Sequence, residues 1–310
     1  ADASVLRDPA RLAKWSGGSV LLHCLLRWLE RRTGKGHEDA ATQWHPLAGG
    51  FGDDVAQAYR DGMKILWRIT PPERPGRNGN TVNRTWTAIL SMGGLGIEAA
   101  ESPDWASRLT PGQAMRAAQH ACLSEDGYPG WFDALAESHP AEVLPILRKA
   151  LRREMSARCT SHYGLLSHFS YRPIPSSVQQ LLCEVITGQK PANGKVCEHV
   201  VGILARLDLD EPERKRVARL ACRRFRAART DEDGPLIRHH LAMLFLTDAD
   251  QAARELADWL GSIPPAERDA QAATTLGTLF ERDSPVSQAL AKASATSLDT
   301  LARLAYRHVR

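Results

Sequence analysis

Nothing in this sequence marks a β-strand: no stretch alternates Val, Ile, Thr and aromatic residues between hairpin turns. Long hydrophobic runs are missing too. No apolar segment approaches the roughly 20 residues that cross a bilayer, so no membrane partner is expected. Ala1 to Arg7 lacks the basic region and apolar stretch of a secretory signal. The six cysteines (Cys24, Cys122, Cys159, Cys183, Cys197 and Cys222) are scattered, mostly inside apolar helical patterns. Buried thiols in a reducing cytoplasm are the simplest account. Aromatic residues make up only 6% of the chain, yet eight are Trp. Of these, Trp15, Trp28, Trp44, Trp67, Trp86, Trp105 and Trp131 fall in the first 131 residues, and Trp259 stands alone beyond. The two halves therefore need different cores.

Catalytic signatures are equally scarce. GQKPANGKV, from Gly188 to Val196, nearly spells a phosphate loop, but its spacing is one residue too long. Val196 stands where a hydroxyl would hold magnesium, and the segment joins two helical patterns instead of following a strand. A helix–helix loop is expected there. Cys159, His162 and His168, like Cys197 and His199, miss the spacing of a zinc site. His239 and His240 are adjacent and so point to different sides of a helix. No Gly-x-Ser-x-Gly elbow is present, and Asp53–Asp54 and Asp231–Glu232–Asp233 sit where helix caps belong. The sequence thus indicates no enzyme, no metal and no cofactor.

Helical periodicity fills the space these absences leave. Val217, Leu220, Ala221, Phe225 and Ala228 recur three or four apart, with charges between them. Val143, Leu144, Leu147, Leu151 and Met155 do the same, as do Leu298, Leu301, Ala302 and Ala305. Pro111, Pro140, Pro212, Pro265 and Pro285 mark first turns, where a missing N–H costs nothing. The fold class is all-α.

Residues 1–138 predict an irregular Trp- and Gly-rich helical region. Its helices are expected at Ser19–Arg32, Asp54–Ile69, Val82–Glu101, Pro111–Leu123 and Trp131–Glu137, with long loops over Thr33–Asp53 and Thr70–Asn80. Gly93, Gly94 and Gly96 interrupt one apolar helix and point to close helix–helix approach or a kink. Residues 139–310 are more regular. Every second helix starts near Pro140, Ile174, Pro212, Ala249 and Pro285, so successive gaps are 34, 38, 37 and 36 residues. A near-constant two-helix period is the mark of an α-solenoid, in which each hairpin hides its apolar face against its neighbours. The period lies between the 34 of tetratricopeptide units and the roughly 40–47 of HEAT and armadillo units. The chain begins at Ala1 and stops within the helical pattern Leu298 to Arg310 without a glycine cap. A solenoid normally closes on a polar helix, so a piece of a longer polypeptide is expected.

The most informative feature is a basic helix. Arg216, Arg219, Arg223 and Arg226 are spaced three and four apart and line one face beside the Val217–Phe225 stripe. Arg148 and Arg152 belong to a second basic set one or two hairpins earlier, and stacking could bring both into one strip. Arginines so arranged suit phosphate. Against this, arginine is simply a good helix former on a wet face, and Asp208, Asp210, Glu211, Glu213, Asp231, Glu232 and Asp233 lie close enough to neutralise much of the field. Net charge is only +4. A protein partner is the first expectation and nucleic acid the alternative.

With its repeat period and variable units, residues 139–310 resemble degenerate HEAT-type repeats. Some HEAT-like solenoids are DNA glycosylases that use Trp, Asp and Arg on a concave basic face; Trp105 beside Asp104 and Trp131 near Asp133 offer those residue types without a matching motif. The segment SLDTLARLAYRHVR, with the Ala- and Arg-rich helices before it, looks like the helical arm that follows the ATPase core of large bacterial NACHT- and STAND-type NTPases, some of which act in anti-phage defence. That resemblance implies a non-catalytic scaffold or sensor that binds a ligand or partner. It carries over no nucleotide-binding residue.

Overall fold

The computed structural model describes residues 4–14, 17–72, 86–122, 129–156, 164–231, 233–281 and 284–308. Among these there are eighteen α-helices, three short 3-10 turns and no strand, so the all-α expectation holds. Most of the expected loop Thr70–Asn80, with Pro75, Gly76 and Gly79, lies outside the described residues. So do Trp15, Cys159, His162 and Glu232.

The chain forms two compact units, Ala1–Ala150 with Ser161–Leu165, and Leu151–Thr160 with Leu166–Arg310. The division falls inside the helix that begins at Pro140.

The first unit contains α1 (Pro9–Lys14), α2 (Gly18–Thr33), α3 (His37–Thr42), α4 (Pro46–Phe51), α5 (Asp53–Ile69), α6 (Trp86–Glu101), α7 (Pro111–Ala121), α8 (Phe132–Ser138) and the start of α9 (Pro140–Ser156). The expected loop Thr33–Asp53 is thus a correction: it folds into α3 and α4. The pattern was hard to read because the segment buries only small or isolated apolar residues, Ala40, Ala41 and Leu47. At its centre α5 crosses α6, bringing Tyr59, Met63 and Leu66 against Leu90 and Ile97, with Leu22, Leu26 and Leu29 of α2 completing the core. Glycine makes the crossing possible. A Cβ on Gly94 would collide with the Met63 carbonyl, and one on Gly93 would lie 2.7 Å from Met63 Cε and 2.8 Å from Ala41 Cβ. Close approach, not a ligand, explains these glycines. Four tryptophans find work nearby: Trp67 is fully buried, Trp28 packs edge-on to Phe51, and Trp105 packs edge-on to Trp131.

The second unit continues with α10 (Leu165–Tyr171), α11 (Ser176–Gly188), α12 (Gly194–Leu204), α13 (Glu211–Thr230), α14 (Gly234–Thr247), α15 (Ala249–Ser262), α16 (Pro265–Leu279), α17 (Pro285–Ala289) and α18 (Ala295–His308). Its helix starts are locally encoded. Asn193, Asp210, Asp233 and Asp248 each accept a backbone N–H two or three residues into α12, α13, α14 and α15. At α13, Asp210 and Glu213 form a full capping box, and Pro212 sits in the first turn.

Packing links helices that are next but one in the chain. Ser170 of α10 meets His199 of α12, Arg216 of α13 reaches back to α11, and Phe225 of α13 packs edge-on to Trp259 of α15. Helix α14 lies against α12, α13, α15, α16 and α17. Accordingly it is apolar nearly all round, burying Ile237, Leu241, Ala242, Met243, Leu244 and Phe245. The predicted stripe Val217, Leu220, Ala221, Phe225 and Ala228 is buried throughout. The stripe on α18 is not: only Leu301 is covered, while Leu298, Ala302 and Ala305 are exposed. Cys183, Cys197 and Cys222 are buried as expected, but Cys24 is exposed.

Candidate basic face of the second unit

The side chains of Arg216, Arg219, Arg223 and Arg226 do share one exposed face of α13. The capping box fixes where the helix begins, and burial of the apolar stripe fixes its rotation, so the arginines have no choice but to face water.

Their electrostatic surroundings differ along the helix. Near the N-terminus Glu211 pairs with Arg214 at 3.3 Å and with Lys215 at 3.1 Å. Arg216 donates to Cys183 Sγ at 3.4 Å. Arg226 is held by Glu255 of α15, with Nε–Oε1 and Nε–Oε2 distances of 3.2 and 3.3 Å. Hydrogen bonding from Arg226 keeps the Glu255 carboxyl below its ordinary pKa despite burial, and Cys222 donates a further bond. Between these ends, Arg219 bonds the Lys215 carbonyl, and among the described residues neither Arg219 nor Arg223 has a carboxylate within ion-pair distance. The centre of the face is open.

Arg148 is half-buried in the first unit, whereas Arg152 is exposed on the part of α9 that belongs to the second. Among the described residues no hydrogen bond or ion pair links Arg152 to α13.

Two residues that matter here were not singled out from the sequence. Glu255 neutralises Arg226 across a separation of 29 residues, which no local pattern could reveal. Arg224 turns away from the exposed face and donates to the Ile186 carbonyl at 3.4 Å and to the Gln189 carbonyl at 2.5 Å. It thereby caps the C-terminus of α11, where a cation is favoured.

Other candidates resolve differently. The Gly188–Val196 segment is the loop between α11 and α12, as expected. Asp53 and Asp54 open α5, with Asp54 accepting from the Val55 N–H, while Asp233 caps α14. The first unit has a cleft of about 330 Å³ where Trp105 meets Glu98 and Glu101. Trp105, 4% exposed, offers no open face for a base to stack on. The carboxylates are also occupied. Arg60 grips Glu101 with Nε–Oε1 and Nη2–Oε2 distances of 2.5 and 2.8 Å, Lys64 joins it, and Arg68 grips Glu98. Burial alone would raise the Glu101 pKa, but these bonds and charges outweigh it and lower it. The cleft is therefore walled by matched ion pairs.

Comparison of the chain with protein families, characterised proteins and solved structures finds no match.

Proposed function

We propose that the chain is a non-catalytic scaffold or sensor module, its residues 139–310 an α-solenoid of HEAT-like hairpins that binds a macromolecular partner on the exposed face of α13. The observation that carries this is the linkage of helices two apart, α10 to α12, α11 to α13 and α13 to α15, together with an exposed face on α13 centred on Arg219 and Arg223. A stack held in this way offers a preformed surface, so little ordering is required when a partner docks. The resemblance of the sequence to the helical arm of large bacterial NACHT- and STAND-type NTPases supports the same role.

A photoactivatable residue replacing Arg219 should give a defined adduct with one macromolecule in cells that naturally make the protein. The same residue replacing exposed Thr278 of α16 should not. Equal labelling from both positions would overturn the proposal.

A second reading is favoured by one specific observation, the carboxylate-free centre at Arg219 and Arg223: the partner is a nucleic acid held by its phosphates. Binding to DNA or RNA should then weaken steeply with salt, and Arg216→Glu with Arg219→Glu should abolish it. Absence of binding to both polymers at low salt removes this reading and leaves the protein partner.

A further inference from the structure

We infer that the second unit contains a phosphate-binding cleft that borders the exposed face of α13 and shares Arg223 with it, in which Lys190, Arg223, Arg224 and His240 converge on one phosphate group. Three elements build it. Lys190 comes from the α11–α12 loop, the two arginines from the C-terminal half of α13, and His240 from α14. The cleft measures about 250 Å³, below the roughly 300–1,000 Å³ of sites for drug-sized ligands, and suits a phosphate or a small phosphomonoester.

Charge and unmet hydrogen bonding both point to an anion. Lys190, Arg223 and Arg224 face a single carboxylate in the lining, Asp231. The positive charge registers on the neighbours. Burial first, then Arg224, His239 and Lys190, push His240 down to about 4, with Asp233 opposing weakly. Burial and Arg223 likewise lower Arg224. His240 is 1% exposed, and its Nδ1 has no hydrogen-bond partner. A buried polar atom left unpaired costs about 1–3 kcal/mol, a cost that a bound acceptor or donor relieves. Arg224 is already aimed by the carbonyls of Ile186 and Gln189, which use two of its five N–H groups and hold the rest in place. A phosphate dianion, with three strongly accepting oxygens, matches this set of donors better than a carboxylate. The loop that fails as a Walker sequence thus supplies a lysine to a phosphate seat of another construction.

The inference does not depend on the role given to α13 above. Isothermal titration of the full chain with inorganic phosphate, in chloride buffer of matched ionic strength, should show one saturable site. Lys190→Ala and Arg223→Ala remove exposed side chains and leave the core intact; each should weaken phosphate binding about tenfold or more. Arg219→Glu, on the outer face but not in the cleft, should change it by no more than about twofold. Adenosine monophosphate binding tighter than phosphate would assign the seat to a nucleotide, and equal affinity would assign it to the bare group. Unsaturable binding, no loss in either alanine variant, or an equal loss in Arg219→Glu would overturn the proposal. Loss of nucleic-acid binding in Arg219→Glu with phosphate binding retained would separate the two surfaces.

Discussion

Helices α5 and α13 each carry a row of cations three or four residues apart and put them to different uses. In the first unit Arg60, Lys64 and Arg68 meet Glu98 and Glu101 across the α5–α6 crossing, so their charge is spent inside the fold. In the second, among the described residues no carboxylate lies within ion-pair distance of Arg219 or Arg223, and their field reaches solvent. The arginine pattern alone does not distinguish a clamp from a binding surface. What the neighbouring helix presents decides it.

The contrast can be tested from its strongest determinant downward. Gly94→Val should be the most damaging change, because the added Cβ meets the Met63 backbone, which cannot move aside as a side chain would. A loss on the order of 3–5 kcal/mol is expected, seen as a large fall in Tm, and the α5–α6 clamp should be lost with it. Acid should act next, and on the second unit. His240 has a folded pKa of about 4 against an ordinary value of 6.5, so above pH 6.5 both folded and unfolded states are neutral there. As pH falls from 6.5 to 4 the unfolded state gains a proton that the folded state refuses. Stability should decline across that window by on the order of 3 kcal/mol from this group, then stop declining on its account below pH 4. Chemical denaturation at pH 7.5, 5.5 and 4 would check it.

Glu101→Gln should cost less, about 1–2 kcal/mol by urea denaturation, since it takes the carboxylate from half-buried Lys64 and leaves Arg60 with Asp61 alone. It should also break the contrast by giving the first unit a new, salt-sensitive attraction for anions. Smallest of all, Arg219→Glu should shift stability by no more than about 0.5 kcal/mol in the same assay, because that side chain is exposed and unpaired.

Much of this architecture was legible in the residues. The starts of α7, α9, α13, α16 and α17 follow from proline in the first turn, and the rotation of α13 follows from its apolar stripe, because both signals are local. Short helices α3 and α4 were not legible, since alanine buries well without announcing itself as apolar. The arginine face was visible, but not its division into paired and open parts, which hinges on Glu255 from a later helix. The cleft was least visible. Lys190, Arg224 and His240 are far apart in sequence and carry no shared spacing, and only packing makes them neighbours.

Helix α14 has almost no wet side and borders five other helices. An object gripped from so many directions cannot shift by an ångström without pushing something else, because close-packed interiors transmit strain and do not absorb it. His240 is fastened to that helix. Occupying the cleft therefore tugs on the unit's central beam, and the disturbance is delivered to α12, α13, α15, α16 and α17 together.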